Sequence, residues 1–204
     1  MRLGIFGGTF DPVHYGHLLL AECCREQLGL ERIWFLPTAV PPHKQQRELA
    51  PGEQRVEMLE LALAGHPAFQ VCHYEVDRGG VNYTVDTLNH FRKQHPAGEL
   101  FFLMGADSLR DLPTWKDPRR ICELATPVVV GRADGGELDL AGLDGIVPAE
   151  SLSAIHGCRV HMPKIELSSS DIRQRVAAGQ SIRYRTVRAV EEYIAAHGLY
   201  QTVD

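Results

Sequence analysis

The chain has no long apolar run, no excess of positive charge and little cysteine, and each absence excludes something. Its 204 residues carry 21 Lys and Arg against 26 Asp and Glu, a formal net charge of −5. That balance provides no basic field for nucleic acid or for an anionic membrane surface, so neither is expected as a partner. No stretch approaches the roughly 18 apolar residues of a membrane span. The opening Met1-Arg2-Leu3-Gly4-Ile5-Phe6 lacks the apolar core of a secretion signal and reads as part of the fold. Five cysteines (Cys23, Cys24, Cys72, Cys122 and Cys158) are an odd number without zinc-ribbon spacing, and the neighbours Cys23 and Cys24 are poorly placed to pair. Reduced thiols and a cytoplasmic location are expected. The first glycine-rich stretch also lacks the Gly-Lys-Ser/Thr ending of a Walker A loop and the Gly-x-Gly-x-x-Gly of a dinucleotide fold. This argues against P-loop phosphoryl transfer and against hydride chemistry.

What is present is a regular alternation of strand and helix patterns. Residues 3–6 read as a buried strand and 17–28 as a helix. A second strand over 32–36 ends at Pro37. Residues 38–51 form a Pro-rich polar loop too long to be a plain connector. Val56, Leu59 and Leu63 mark a helix over 52–63 by their spacing. Short strands follow at 69–72 and 100–104, with a helix over 84–94 between them that Thr84 is expected to cap. A helix over 118–124, a strand over 126–130, short strands at 146–147 and 159–162, and helices over 169–178 and 186–196 complete the pattern. The glycine- and acid-rich loop 131–145 is expected to be mobile and has no assignable role. Apolar content of 44% and charged content of 23% are ordinary for a globular protein. The alternation predicts an α/β, Rossmann-like, doubly wound, mostly parallel sheet with helices on both faces. One domain over 1–204 is expected, with a small C-terminal helical part at about 168–198. In such sheets ligands sit beyond the C-terminal strand ends, where Gly7, Pro37, Gly105 and Gly131 fall.

The chemistry-bearing motifs cluster at those ends. Gly7-Gly8-Thr9 follows the first strand, with His14 and His17 at the start of the first helix. Unpaired helix N–H groups, the helix dipole and two imidazoles, charged if protonated, make an anion site that suits a nucleotide triphosphate. A metal pair is the competing reading of His14 and His17, but no third ligand is near and HExxH spacing is absent. Pro41-Pro42-His43-Lys44 reads either as a solvated loop or as a stiffened lid that carries Lys44 to a phosphate. Asn82-Tyr83-Thr84 precedes a helix whose free amides suit a carboxylate. Asp107, after Gly105, either caps a turn or accepts from a ribose hydroxyl. Trp115, between Pro113 and Pro118, is either core or a flat face for an aromatic ring. Ser168, Ser169 and Ser170 open a later helix with Arg173 one turn on, either as simple caps or as a second anion site.

The pairing of Gly-Gly-Thr-Phe-Asp-Pro-Val-His-Tyr-Gly-His (7–17) with Ser-Ser-Ser-Asp-Ile-Arg (168–173) resembles the HxGH nucleotidyltransferase superfamily. Pro-Pro-His-Lys (41–44), Asn-Tyr-Thr-Val-Asp-Thr (82–87) and the stretch 105–116 narrow the likeness to bacterial nicotinate-nucleotide adenylyltransferases. The resemblance runs from residue 3 to about 198. It implies transfer of AMP from ATP to nicotinate mononucleotide, giving nicotinate adenine dinucleotide and pyrophosphate in NAD biosynthesis, with Mg²⁺ accompanying ATP and held mainly by phosphates and water. It assigns Gly7, Gly8, Thr9 and Phe10 to the ATP cleft, and His14, His17, Lys44 and Arg173 to the reacting phosphates. Ser168, Ser169 and Ser170 would bind ATP, the last two at its β and γ phosphates, while Gly105 and Asp107 would meet its ribose. His43, Lys44 and Arg132 would surround the mononucleotide phosphate, Trp115 would stack on the pyridine, and Thr84 with the Lys116 amide would receive its carboxylate. Two positions depart from the family pattern: Ser170 stands where Thr is usual, and Lys116 where an aromatic is common. A sister nucleotidyltransferase acting on nicotinamide mononucleotide or phosphopantetheine, and a non-catalytic nucleotide sensor, are the other readings. The presence of His14, His17, Lys44 and Arg173 counts against the sensor.

Overall fold

The computed structural model describes residues 1–39, 49–132 and 140–201. Six strands form one fully parallel sheet in the order β3-β2-β1-β4-β5-β6. They are β1 (Arg2–Gly8), β2 (Arg32–Pro37), β3 (Phe69–Val71), β4 (Glu99–Gly105), β5 (Thr126–Arg132) and β6 (Val160–Met162). The Rossmann-like, doubly wound expectation holds. The winding reverses between β1 and β4, which places a crevice beyond Gly8 and Gly105.

The strands alternate strictly between two cores, as period-two geometry requires. Phe6, Ile33, Phe35, Phe101, Leu103, Val128 and Val130 face one side. Leu3, Ile5, Leu36, Leu100, Phe102, Met104 and Val129 face the other. The first side is covered by α1 (Tyr15–Leu28), α2 (Gly52–Leu63), α8 (Ser169–Ala177) and α9 (Arg188–Ala196). The second is covered by α4 (Thr84–Gln94), α5 (Ala106–Asp111), α6 (Pro118–Leu124) and α7 (Ala149–Gly157), while α3 (Tyr74–Arg78) lies before α4. Gly4 is required by this packing: a Cβ there would lie 3.0 Å from both Ile33 and Leu30. No helix among the described residues is long and apolar enough to cross a membrane.

Several elements differ from expectation. The segment 146–147 is not a strand. The Ile146 and Val147 amides both donate to the Leu143 carbonyl (3.0 and 3.2 Å), closing a turn on the short 3-10 helix Ala141–Leu143. The loop 131–145 is in part regular: β5 extends to Arg132, and Leu140 and Leu143 are buried in the second core. Residues 133–139 lie outside the described residues. The last helix begins at Arg188 rather than at 186, because Thr186 is used otherwise: its hydroxyl donates to the Val13 carbonyl at 2.8 Å. Helices α3, α5 and α7 were not legible from periodicity, being five, six and nine residues long.

Candidate functional site

Both histidines sit at the start of α1, with His14 as N-cap and His17 in the first turn. Their rings stack at 3.7 Å. The His14 backbone N–H donates to His17 Nδ1 (3.2 Å), so the His17 ring proton resides on Nε2, which is left as a donor. Gly16 explains the glycine between them, since a Cβ there would lie 3.0 Å from Cε1 and Nδ1 of His14. Burial lowers the His14 pKa to about 4. Burial and the neighbouring His14 hold His17 well below its ordinary value. The pair is therefore neutral at physiological pH, and the charge that protonated rings would bring is not supplied here. Phe10 is 1% exposed and packs edge-on against His17 (5.0 Å), so its ring backs the site from the core rather than lining a cleft.

The second motif is fastened to the first by three successive carbonyls. Arg173 Nη1 donates to Asp11 O (2.6 Å), Ser169 Oγ to Pro12 O (2.9 Å) and Thr186 Oγ1 to Val13 O (2.8 Å). Ser168 accepts from the Asp171 amide (3.1 Å) and is a cap in the simple sense. Ser170 Oγ accepts from Arg173 Nη2 at 3.2 Å, a role that Ser fills where Thr is usual. The starts of α1 and α8 thus meet, with Arg173 between them and Asp11 behind it (Nη1 to Oδ2, 3.5 Å). Two helix starts, neutral imidazole donors and a guanidinium form a site for a polyanion.

On the other side of the β1 end lies a cavity of about 310 Å³. Gly7, Gly8 and Thr9 border it, as do Thr84, Trp115 and Lys116. Trp115 is held edge-on by Phe102 at 6.1 Å, leaving its ring toward the cavity. Thr84 is the first residue of α4 and not its cap; Tyr83 occupies the cap position without a side-chain bond. The Thr84 and Val85 amides precede the helix's own bonding, whereas that of Asp86 already donates to the Tyr83 carbonyl (2.9 Å). Lys116 lies over the Tyr83 ring (4.4 Å) and pairs with Asp86 (3.2 Å), so the departure at 116 turns the side chain to the α4 start. Gly105 caps α5 at the end of β4. Asp107 is exposed and, among the described residues, pairs with Arg110 (3.3 Å), an interaction of little weight. Arg132 is the last residue of β5. His43 and Lys44 lie outside the described residues.

Three positions escaped the sequence reading, and a fourth, Asn82, stood in a quoted motif without a role of its own. Arg55 is fully buried and donates to the carbonyls of Thr9, Thr38, Ala39 and Ala50 (2.8 to 3.3 Å), fixing the glycine loop against the end of β2. Its signal was available: it falls four residues before Leu59 on the apolar stripe of α2. Glu75, 3% exposed, lines the cavity; Thr87 donates to its Oε1 (2.7 Å), Oε2 has no partner, and burial pushes its carboxyl up. Asn82 holds the Glu75, Gly79 and Gly80 carbonyls (3.2 to 3.4 Å) and shapes the turn into α4. Tyr200 donates to Asp11 Oδ1 at 2.7 Å, with no local sequence signal.

The lowered histidines carry a consequence for stability. Between pH 6.5 and about 4 the unfolded chain binds protons that folded His14 refuses, so stability is full above this window and is lost as pH falls through it. Denaturant unfolding from pH 7 down to pH 4 should show a steady fall, and His14→Gln should flatten part of it. A fall of the same steepness in His14→Gln would contradict the assignment.

The pattern of the cytidylyltransferase-like family matches residues 5–175. A probable nicotinate-nucleotide adenylyltransferase of Thermomicrobium roseum is 51% identical over 203 residues, covering 100% of this chain and 93% of that protein. One from Thermus thermophilus is 47% identical over 201 residues, covering 98% of this chain and 100% of that one. Among solved structures, the Plasmodium falciparum nicotinic acid mononucleotide adenylyltransferase complexed with NaAD has a TM-score of 0.75 at 17% identity, covering 98% of this chain and 97% of that chain, and so shares the fold. With a family pattern spanning most of its length and relatives of this identity over all of it, the chain belongs to the nicotinate-nucleotide adenylyltransferases of the cytidylyltransferase-like family.

Proposed function

We propose that this protein transfers AMP from ATP to nicotinate mononucleotide, releasing pyrophosphate and forming nicotinate adenine dinucleotide. The observation that carries the reading is the adjacency of the two sites at one strand end. Gly7, Gly8 and Thr9 border the cavity holding Trp115, and the chain running on from Thr9 supplies the Asp11 and Pro12 carbonyls that receive Arg173 and Ser169 at the polyanion site. A triphosphate on the polyanion site and a pyridine nucleotide in the cavity meet at that strand end.

The acceptor phosphate is already an anionic nucleophile, so the reaction needs no enzyme nucleophile. An acceptor phosphate oxygen attacks the α-phosphorus in line, that bond forms, and the bond from the α-phosphorus to the bridging oxygen breaks toward pyrophosphate. Catalysis is then positioning and stabilisation of the leaving charge. His17, through Nε2–H, and His14 act as neutral donors, Arg173 supplies the fixed cation, and Ser169 and Ser170 line the β and γ phosphates. Gly105 and Asp107 meet the ribose. Lys44, with His43 and Arg132, serves the acceptor phosphate. Trp115 stacks on the pyridine, and the α4 start at Thr84 with the Lys116 amide receives its carboxylate. A raised Glu75 carboxyl fits this, since an ionised one beneath the cavity would repel an acid. Among the described residues no three His, Cys, Asp or Glu side chains are grouped to hold a metal. Mg²⁺ would enter with ATP, held by its phosphate oxygens and water and not by protein side chains, and would supply charge neutralisation for the leaving pyrophosphate.

His17→Ala should lower turnover by about a hundredfold or more, the usual loss when a donor to developing charge is removed, and should leave most of the folding stability. A rate within a factor of two of wild type would remove His17 from the mechanism. Trp115→Ala should raise KM for the pyridine nucleotide about tenfold, as loss of an aromatic stack implies, and leave that for ATP nearly unchanged. Equal rises for both substrates would contradict stacking.

A further inference from the structure

Asp11 is 0% exposed and belongs to the first phosphate motif, where it faces Arg173 of the second. Its carboxylate faces Arg173 on one side, where Nη1 stands 3.5 Å from Oδ2. On the other side Oδ1 accepts from the Tyr200 hydroxyl at 2.7 Å and from the Ala50 amide at 3.3 Å. Tyr200 lies beyond α9, 27 positions after Arg173, and holds φ of 62°, a conformation that side-chain-bearing residues rarely adopt. Leu199 and Tyr200 pack against the first core, and the Leu199 amide is tied to the Ile194 carbonyl (3.1 Å), so this strained position is held from both sides.

We propose that the Tyr200 hydroxyl is a positioning residue for the phosphate site: it fixes the plane of the Asp11 carboxylate, which in turn fixes the Arg173 guanidinium. The guanidinium has five N–H groups. Nη1 is committed to Asp11 and one Nη2–H to Ser170, which leaves Nε–H and the other Nη2–H as a fork for phosphate oxygens. The Asp11 backbone carbonyl anchors Nη1 at 2.6 Å, and the carboxylate, at ion-pair distance, sets the second contact that orients the fork. Without the hydroxyl, Oδ1 keeps only the longer Ala50 contact, and the carboxylate is free to turn and draw Arg173 off its line. Burial and the adjacent Asp11 hold the phenol far above its ordinary range, so it remains a donor at all working pH values.

The proposal rests on the adenylyltransferase reading for its kinetics, but binding of inorganic triphosphate tests it independently. Tyr200→Phe keeps the ring and its packing. It should lower kcat about tenfold, the scale of a lost buried bond to a charged group, with KM for the pyridine nucleotide within about twofold. Calorimetric affinity for inorganic triphosphate, measured in the cold so that a lowered melting point does not matter, should weaken by a similar factor. In an Arg173→Lys background, which has no planar fork to aim, Tyr200→Phe should change kcat by less than about twofold. Tyr193→Phe removes another hydroxyl from the same C-terminal part, one bonded to the exposed Glu57, and should retain wild-type kcat. Wild-type kcat and triphosphate affinity in Tyr200→Phe, or an equal loss in both backgrounds, would overturn the relay. Absence of turnover in the wild type would instead contradict the adenylyltransferase reading and leave the triphosphate result to decide the relay.

Discussion

The structure depends on one buried carboxylate and the carbonyls that follow it. Asp11 is removed from solvent, and a buried charge is tolerated only when it is paired and bonded on several sides. Tyr200 and the Ala50 amide bond Oδ1, and Arg173 stands at ion-pair distance from Oδ2, three partners from distant parts of the chain. The carbonyls of residues 11 to 13 accept in turn from Arg173, Ser169 and Thr186. Core packing through Ile172 places α8 on the same face as α1, and these bonds fix its start against the α1 start, so that the two anion-binding helix ends form one site.

Electrostatics then follow from burial and not from net charge. The protein is acidic overall, and its two histidines are held neutral by desolvation. Among the described residues, positive character at the phosphate site therefore comes from Arg173 and from the helix starts, with the imidazoles acting as oriented dipoles. Arg55 complements this from beneath. It spends its N–H groups on four carbonyls and carries the glycine loop, so its charge is structural.

How much of this was legible depends on the range of the causing interaction. The parallel sheet and the glycine strand ends follow from local periodicity, and they hold, whereas the reversal between β1 and β4 is known only from the strand order. The joining of 7–17 with 168–173 was legible as motif, though the carbonyl ladder that joins them was not. Thr84 looked like a cap because its residue type favours one, but the turn shaped by Asn82 moves the cap to Tyr83. Phe10 stands in the first motif, and its ring fills the space behind His17, a packing role that its place in the motif does not reveal. The reason for Gly16 is not legible in sequence: the His14 ring lies where its Cβ would be. Tyr200 and Glu75 act through partners set by the fold, and no window of sequence reveals that.

The central claim is that an acid-bearing pyridine nucleotide occupies the Trp115 cavity while ATP lies across the α1 and α8 starts. The most direct measurement is pyrophosphate release with ATP and Mg²⁺, run in parallel with nicotinate mononucleotide and nicotinamide mononucleotide. The account predicts kcat/KM strongly in favour of the acid, because the first-turn amides of α4 are donors that only a carboxylate fully uses. Equal use of both nucleotides, or release with neither, would contradict it.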